Sequence, residues 1–297
     1  MLSSKERVLM AIDHQETDRV PMDYWAWQEV NNNLQNKLSL KDYDELLEYL
    51  GIDLRTVRAT YIGPNDCWEE MRKAKTAEEL ENCTVPDPDL CDYSNIEALC
   101  DKYSHYAVVG GAWSPVFCTA SAFIGMQNLM IKMYEEPDYV RVFLEKITDF
   151  FYETSLRTFE AAKGKMDIFF LGDDYGTQLD LIMSHDMWDR FYAPCLKRLF
   201  DLAKEFGLKV MLHSCGSVSK LIPRLIELGM DALDPIQIRA SNMEPEYLKA
   251  NFGDHITFHG GLDTQHVLPF CTVEEVRAEA RRLIEIFGKG GGYILGP

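Results

Sequence analysis

Leu208-Lys209-Val210-Met211-Leu212-His213-Ser214-Cys215-Gly216 decides the fold. Its first five residues read as a short buried strand, stopped by polar and small residues. A helix over residues 186–206 leads into it. A second helix over 217–228 leads out, stops at Gly229 and hands over to another apolar pair, Ala232-Leu233. Strands alternating with helices in this way imply parallel pairing with helical crossovers.

The same alternation extends in both directions. Upstream, Asp167–Leu171 reads as a buried strand ending in Gly172-Asp173-Asp174, and Tyr106–Val109 as one ending in Gly110-Gly111. Between them lies a long helical region. It is clearest after Pro137, where Val140, Phe143, Leu144, Ile147 and Phe151 recur at three and four. Leu54–Thr60 is a further strand, after a helix over Tyr43–Leu50 that Gly51 ends. Arg19–Asp23 reads as a short first strand despite Pro21, after a helix from a Ser3 or Ser4 cap to about His14. Residues 61–104 are mixed, with a helix over Tyr93–Lys102. Downstream come a helix over Pro245–Phe252, a strand over Ile256–Phe258, a helix over Thr272–Phe287 and a last strand, Gly292–Leu295.

About eight strands in 297 residues predict an α/β chain with one domain over residues 1–297, a single (β/α)8 TIM barrel. A doubly wound sheet is the alternative, but no GxGxxG follows the first strand. The eighth strand runs into Leu295-Gly296-Pro297, leaving nothing for a closing helix or loop. The expectation is therefore a barrel lacking its last helix through C-terminal truncation.

Composition narrows the function. Lys+Arg total 30 against Asp+Glu 48, a formal net charge of −18. That balance argues against nucleic acid and anionic membrane surfaces, which need a basic footprint. Apolar runs are only a few residues long, so no spanning helix is expected. The amphipathic N-terminus lacks the apolar core of a secretory signal. The eight cysteines form no CxxC pair and read as reduced thiols in the cytoplasm.

Barrel active sites form at the C-terminal strand ends, and chemically useful residues collect there. The first strand delivers Asp23, Tyr24 and Trp25; the fourth, Asp173, Asp174 and Tyr175; the fifth, His213 and Cys215; the seventh, His259, Gly260, Gly261 and Asp263. His213 and Cys215, at i and i+2, can turn toward one point, and imidazole and thiolate are good zinc ligands. The plainer reading is a hydrogen-bonded histidine over a buried cysteine. Asp173 and Asp174 stand between glycines, where one carboxylate could bind a metal or substrate and the other cap a loop; an Asx-turn with both solvated is the alternative. Gly260-Gly261 before Asp263 suggests a turn that cradles phosphate or carboxylate, against a simple loop. Trp25, Trp27 and Trp113 could line an aromatic pocket, although core packing is commoner for tryptophan.

Asp18-Arg19-Val20-Pro21, Gly172-Asp173-Asp174-Tyr175-Gly176-Thr177-Gln178, His213-Ser214-Cys215-Gly216, His259-Gly260-Gly261-Leu262-Asp263-Thr264-Gln265 and Gly291-Gly292-Tyr293-Ile294-Leu295 together resemble the uroporphyrinogen decarboxylase superfamily, in its motif order and over nearly the whole chain. That resemblance also implies a (β/α)8 barrel. True decarboxylases of the superfamily carry Arg-Gln-Ala-Gly-Arg near the N-terminus, whereas this chain has Met22-Asp23-Tyr24-Trp25-Ala26-Trp27 after Pro21. The other branch holds cobalamin-dependent methyltransferases, which pass a methyl group between a corrinoid protein and a thiol or other acceptor. The resemblance to that branch implies zinc on His213 and Cys215, with a third ligand beyond Pro297. It further implies that Asp174 and Asp263 orient substrate or stabilise charge; Asp23 is a further catalytic candidate from its strand-end position, and Gly260, Gly261 and Tyr175 are the candidate cofactor contacts. The implied partners are a corrinoid protein carrying cobalamin and a small methylated substrate or thiol acceptor; a homodimer is a further expectation.

Two other functions stay open on sequence. Decarboxylation of a porphyrinogen would need cations at the mouth, for which Arg55, Arg58, Arg239 and Arg19 are the strand-end candidates. A non-catalytic barrel that delivers or senses corrinoid is the third.

Overall fold

The computed structural model describes residues 2–64 and 68–297. Its strands, in chain order, are β1 (Leu54–Val57), β2 (Thr60–Tyr61), β3 (Cys91–Asp92), β4 (Ala107–Gly110), β5 (Ile168–Gly172), β6 (Lys209–His213), β7 (Ala232–Asp234), β8 (Thr257–Gly261) and β9 (Tyr293–Gly296). Among the described residues, β1-β4-β5-β6-β7-β8-β9 form a seven-stranded sheet in that order, parallel throughout. The ribbon β2–β3 is antiparallel and separate. Helices cross between successive strands of the main sheet, the longest over Pro137–Ala162.

The sheet curls until its edges meet across residues 21–23. Met22 bridges Leu295 in parallel. The Leu295 amide donates to Pro21 O (2.9 Å), the Asp23 amide to Leu295 O (2.8 Å), and the Asp53 amide, just before β1, to Met22 O (2.9 Å). The expected first strand is thus a single bridge between both edges. It forms no longer ladder because Pro21 has no N–H to give and the Met22 N–H is taken by the Asp53 carboxylate (2.9 Å). The result is an α/β fold with a curled parallel sheet, consistent with a TIM-like barrel. Leu295 and Gly296 are paired into the wall, the latter accepting from the Leu262 amide (3.0 Å).

Alternation along the strands fills the interior. Leu54, Ala107, Val109, Ile168, Met211, Ala232 and Ile294 form one inner cluster, closed from below by Val8 and Ile12 of the helix Ser4–Ile12. Counting by twos along the strands carries this inner face upward to Arg58, Phe170 and His213. The closing segment is held at its base by ions. Asp53, fully buried, accepts from Arg7 Nη1 (2.7 Å) and Arg19 Nη1 (2.7 Å), while Arg7 Nε also meets Asp18 (2.7 Å). That pairing accounts for the Asp18-Arg19-Val20-Pro21 motif structurally.

Several elements depart from the sequence expectation. The helix over 186–206 is two, His185–Phe191 and Ala193–Glu205, because Pro194 cannot donate across the junction. The helix over 217–228 begins only at Ile222, just before Pro223. The helix Gln28–Leu38 was not expected, since Asn31 is its one buried residue and no apolar stripe marks it. Within 61–104 the described residues form short helices at Glu69–Lys73 and Ala77–Asn82, besides Ile96–Lys102. Described cysteines are free thiols; Cys67 lies outside the described residues. No single described helix is long and apolar enough to cross a membrane.

Candidate metal centre at the strand ends

Three donors converge above β5 and β6. His213 Nε2 lies 3.6 Å from Cys215 Sγ and 3.5 Å from Asp174 Oδ1, and ligand atoms of the three residues all fall within 4.8 Å of one another. Glycines make the approach feasible. A side chain on Gly172 would collide with His213, with its carbonyl oxygen only 2.5 Å away. Gly176 and Gly216 press together so closely that a Cβ on Gly216, at φ +88°, would sit 2.5 Å from the Gly176 carbonyl carbon. Hydrogen bonds stitch the two loops: Cys215 N to Asp174 Oδ1 (2.9 Å), Tyr175 N to Ser214 Oγ (3.0 Å) and Ser217 N to Thr177 O (2.7 Å). The Asx-turn alternative for Asp174 therefore gives way to a carboxylate fixed beside the His-Cys pair.

The spacings from His213 to Cys215 and to Asp174 fit zinc. With Zn–S near 2.3 Å and Zn–N near 2.05 Å, tetrahedral geometry separates S and N by about 3.6 Å and N from a carboxylate O by about 3.3 Å. A thiolate, an imidazole and a carboxylate make a suitable three-donor set that leaves one position for a substrate.

Behind the donors runs a chain that local sequence did not reveal. His213 Nδ1 meets Asp234 Oδ2 at 2.6 Å; Asp234 Oδ1 meets His259 Nδ1 at 2.5 Å; His259 Nε2 meets Asp23 Oδ2 at 3.0 Å. Asp234 and His259 are buried. A carboxylate on Nδ1 turns Nε2 toward the metal position, the usual support for a histidine ligand. Burial opposes protonation of His213, but its bonds to Asp174, Asp234 and Cys215 outweigh burial and raise its pKa. His259 follows the same balance, with Asp234 and Asp23 raising it to about 10. Burial would raise the Asp234 pKa, yet the two imidazoles overcome that and hold it at about 2. Asp174 is lowered, chiefly by His213. Asp234 directly ends β7, so the strand-end rule applied to Ala232-Leu233 would have found it.

The other expected site residues are dispersed. Asp23 reaches the centre through His259 and lines a cavity of about 410 Å³ that His213 also lines. Asp263 is committed to its loop, with Arg239 Nε at 3.0 Å and the amides of Gln265 and His266 on its other oxygen. Tyr175 is 1% exposed: its ring packs on Phe117, Trp188 and Tyr192, and its hydroxyl donates to Asp173 (3.3 Å). It thus supports Asp173, which accepts the amides of Phe117 and Cys118 at a helix N-terminus. Gly260 and Gly261, at φ +90° and +94°, shape the end of β8, and Gly260 O accepts from the Tyr293 hydroxyl. Trp25 and Trp113 line the cavity and sit 6.3 and 5.5 Å from the His213 ring, centroid to centroid. Trp27 is 87% exposed and outside it.

A curled parallel barrel with a Cys-His-Asp donor set at its strand ends defines the class. The chain belongs to the uroporphyrinogen decarboxylase (URO-D) family, whose family model matches residues 46–297. Within that family its likeness is to methyltransferases. A methylated-thiol–coenzyme M methyltransferase from Methanosarcina mazei is 27% identical over 207 residues, 68% of this chain and 52% of that relative. The matched part thus spans about half the relative's length. In fold, a methyltransferase structure from Methanosarcina mazei aligns with 100% of this chain and 93% of its own, with TM-score 0.67 at 18% identity.

Proposed function

We propose that the chain, as one domain over residues 1–297, transfers a methyl group between a small methylated compound or thiol and a corrinoid protein, with zinc on His213, Cys215 and Asp174. The observation that carries this reading is the convergence of those three donors, with His213 held from behind by Asp234. The likeness to a methylated-thiol methyltransferase supports the reaction class.

Zinc at this position would supply positive charge that keeps a substrate thiol deprotonated or polarises a methylated donor. Asp234 fixes the His213 ring, and the Cys215 amide fixes Asp174. Trp25, Trp113 and Phe170 set apolar rings beside His213, which would restrict the angle of substrate approach. An in-line methyl transfer depends on such alignment. Cobalamin on a partner protein would be the other methyl carrier, presented at the same strand ends.

The test is zinc per chain, by elemental analysis, in the native protein and in Cys215→Ser, with methyl transfer from methylcobalamin to simple thiols assayed in parallel. About one zinc in the native chain, lost together with methyl transfer in the variant, is expected. A native chain that takes up no zinc overturns the reading.

A further inference from the structure

Asp173 takes no part in the donor trio or in the chain behind it, yet it is buried at the end of β5, directly beside Asp174. Its oxygens are used by neutral donors. Oδ1 accepts the Cys118 amide (2.7 Å), and Oδ2 accepts the Phe117 amide and, at 3.3 Å, the Tyr175 hydroxyl. Those amides belong to the first turn of the helix Val116–Ile124, where no carbonyl of the helix itself can reach them. The usual partner is the side chain of the residue just before the helix. Here that residue is Pro115, whose side chain makes no such bond. The helix is therefore capped from another strand, by a residue 55 positions beyond Cys118. A buried carboxylate is a costly cap, and Ser, Thr or Asp at 115 would serve the helix alone. The remote cap does something that a local one cannot: it fixes where the helix starts relative to the end of β5.

Trp113 lies just before that start. Its ring is 5.5 Å from that of His213 and 5.3 Å from that of Phe170, centroid to centroid, and it lines the cavity. Residues 112–115 belong to no helix or strand, so their place depends on anchors at either end. Upstream, the Ala112 amide donates to Ser155 Oγ (3.0 Å). Downstream, the anchor is Asp173, whose own amide donates to His213 O (2.9 Å). One dipeptide thus supplies a donor of the metal centre with its second residue and holds the loop bearing the ring with its first.

We propose that Asp173 is a positioning residue: by capping the helix Val116–Ile124 it sets Trp113 against His213, so that the cavity wall and the donor centre keep one geometry. Its bearing on methyl transfer rests on the zinc reading of that centre; the placement of Trp113 does not. Asparagine cannot do the same work, because it has one acceptor oxygen and turns an NH2 group toward the second amide.

Acrylamide quenching of tryptophan fluorescence in the metal-free chain reads the ring directly. The share of Trp113 is the difference between each protein and its Trp113→Phe counterpart, after a thermal melt confirms folding. Asp173→Asn should raise the quenching constant of that share about twofold, since a ring now 36% exposed uncovers more surface when its loop loosens. Cys118→Pro deletes one of the two amide donors in the first helical turn, where proline is tolerated, and should raise it by less. Unchanged constants in the variants that fold overturn the proposal. Should neither fold, hydrogen exchange in the native chain decides: the Phe117 and Cys118 amides should be as protected as those of β5, and exchange as fast as at a frayed helix end overturns it. In methyl transfer, Asp173→Asn should lower kcat/KM when Trp113 is present and have no further effect once Trp113 is alanine, because it acts through that ring. An equal loss in both backgrounds overturns the positioning role and leaves Asp173 a residue of the fold alone. Absence of zinc with the quenching response intact would remove the metal reading and leave this one standing.

Discussion

His213 and His259 share one carboxylate, the Nδ1 of each ring meeting a different oxygen of Asp234, at 2.6 and 2.5 Å. Only His213 faces Cys215 and Asp174 on its other side; His259 faces Asp23. One buried aspartate therefore orients a donor histidine and ties it to the segment that joins the sheet edges.

Asp234→Asn is expected to weaken zinc binding by about 10- to 100-fold, the usual effect of removing such a support. The amide cannot accept from both rings with equal geometry, so His213 loses its fixed orientation. Competition against a chromophoric chelator measures the change. Unaltered affinity would show that Asp234 does not position the ring.

Zinc uptake should release protons. Against its burial, His213 is held protonated near neutral pH by its carboxylate neighbours, and zinc on its Nε2 must displace that proton. Proton release is therefore expected at pH 7, with affinity rising as pH rises. Titration in weakly buffered solution with a pH indicator measures it; no release would mean that the ring does not bind the metal.

The same chain of bonds predicts how metal-free stability varies with pH. The His259 pKa is raised from 6.5 to about 10, so its contribution is complete below about 6.5 and disappears as pH rises through about 10. Asp234 is lowered from 3.8 to about 2, so its contribution is complete above about 4 and disappears as pH falls through about 2. Melting temperature against pH should fall on both flanks. His259→Gln should flatten the alkaline flank.

Asp53→Asn should cost about 3–5 kcal/mol, the range for breaking a buried ion pair from one side. Two guanidinium groups, of Arg7 and Arg19, lose their shared anion, and the Met22 amide loses its acceptor. Urea unfolding gives the value. A change below about 1 kcal/mol would mean that the closing segment is held by its backbone bonds instead.

Gly176→Ala should loosen the centre more than the fold. A Cβ there meets Cys215 O and Ser217 N at 2.7 Å, so the Asp174 loop must back away from the Cys215 loop. A stability loss of about 1–3 kcal/mol is typical of such crowding. Zinc affinity should fall at the same time, as chelator competition would show.

Strands β5, β6 and β8 were legible because each is an apolar run ending in small or polar residues, and His213, Cys215 and Asp174 followed directly from those endings. The helix Gln28–Leu38 was hidden because its buried face is one asparagine. Asp234 was within reach of the same strand-end rule after Ala232-Leu233, but its role was not: its partners lie on β6 and β8, and pairing across strands leaves no local periodicity. Asp263 and Tyr175 show the converse, strand-end residues of suitable chemistry that are spent on loop and core hydrogen bonds.

The bridge at Met22 has a temporal consequence. Residues 21–23 contact Leu295 and His259 across almost the full length of the chain, and contacts so distant in sequence are slow to form. Asp23 can reach His259 only after that late docking. During refolding, the His213-centred site should therefore form first without its outermost carboxylate and gain it last. Time-resolved zinc uptake would then show a fast, weaker phase before a tight one that keeps pace with protection of the Asp23 and Leu295 amides from solvent exchange.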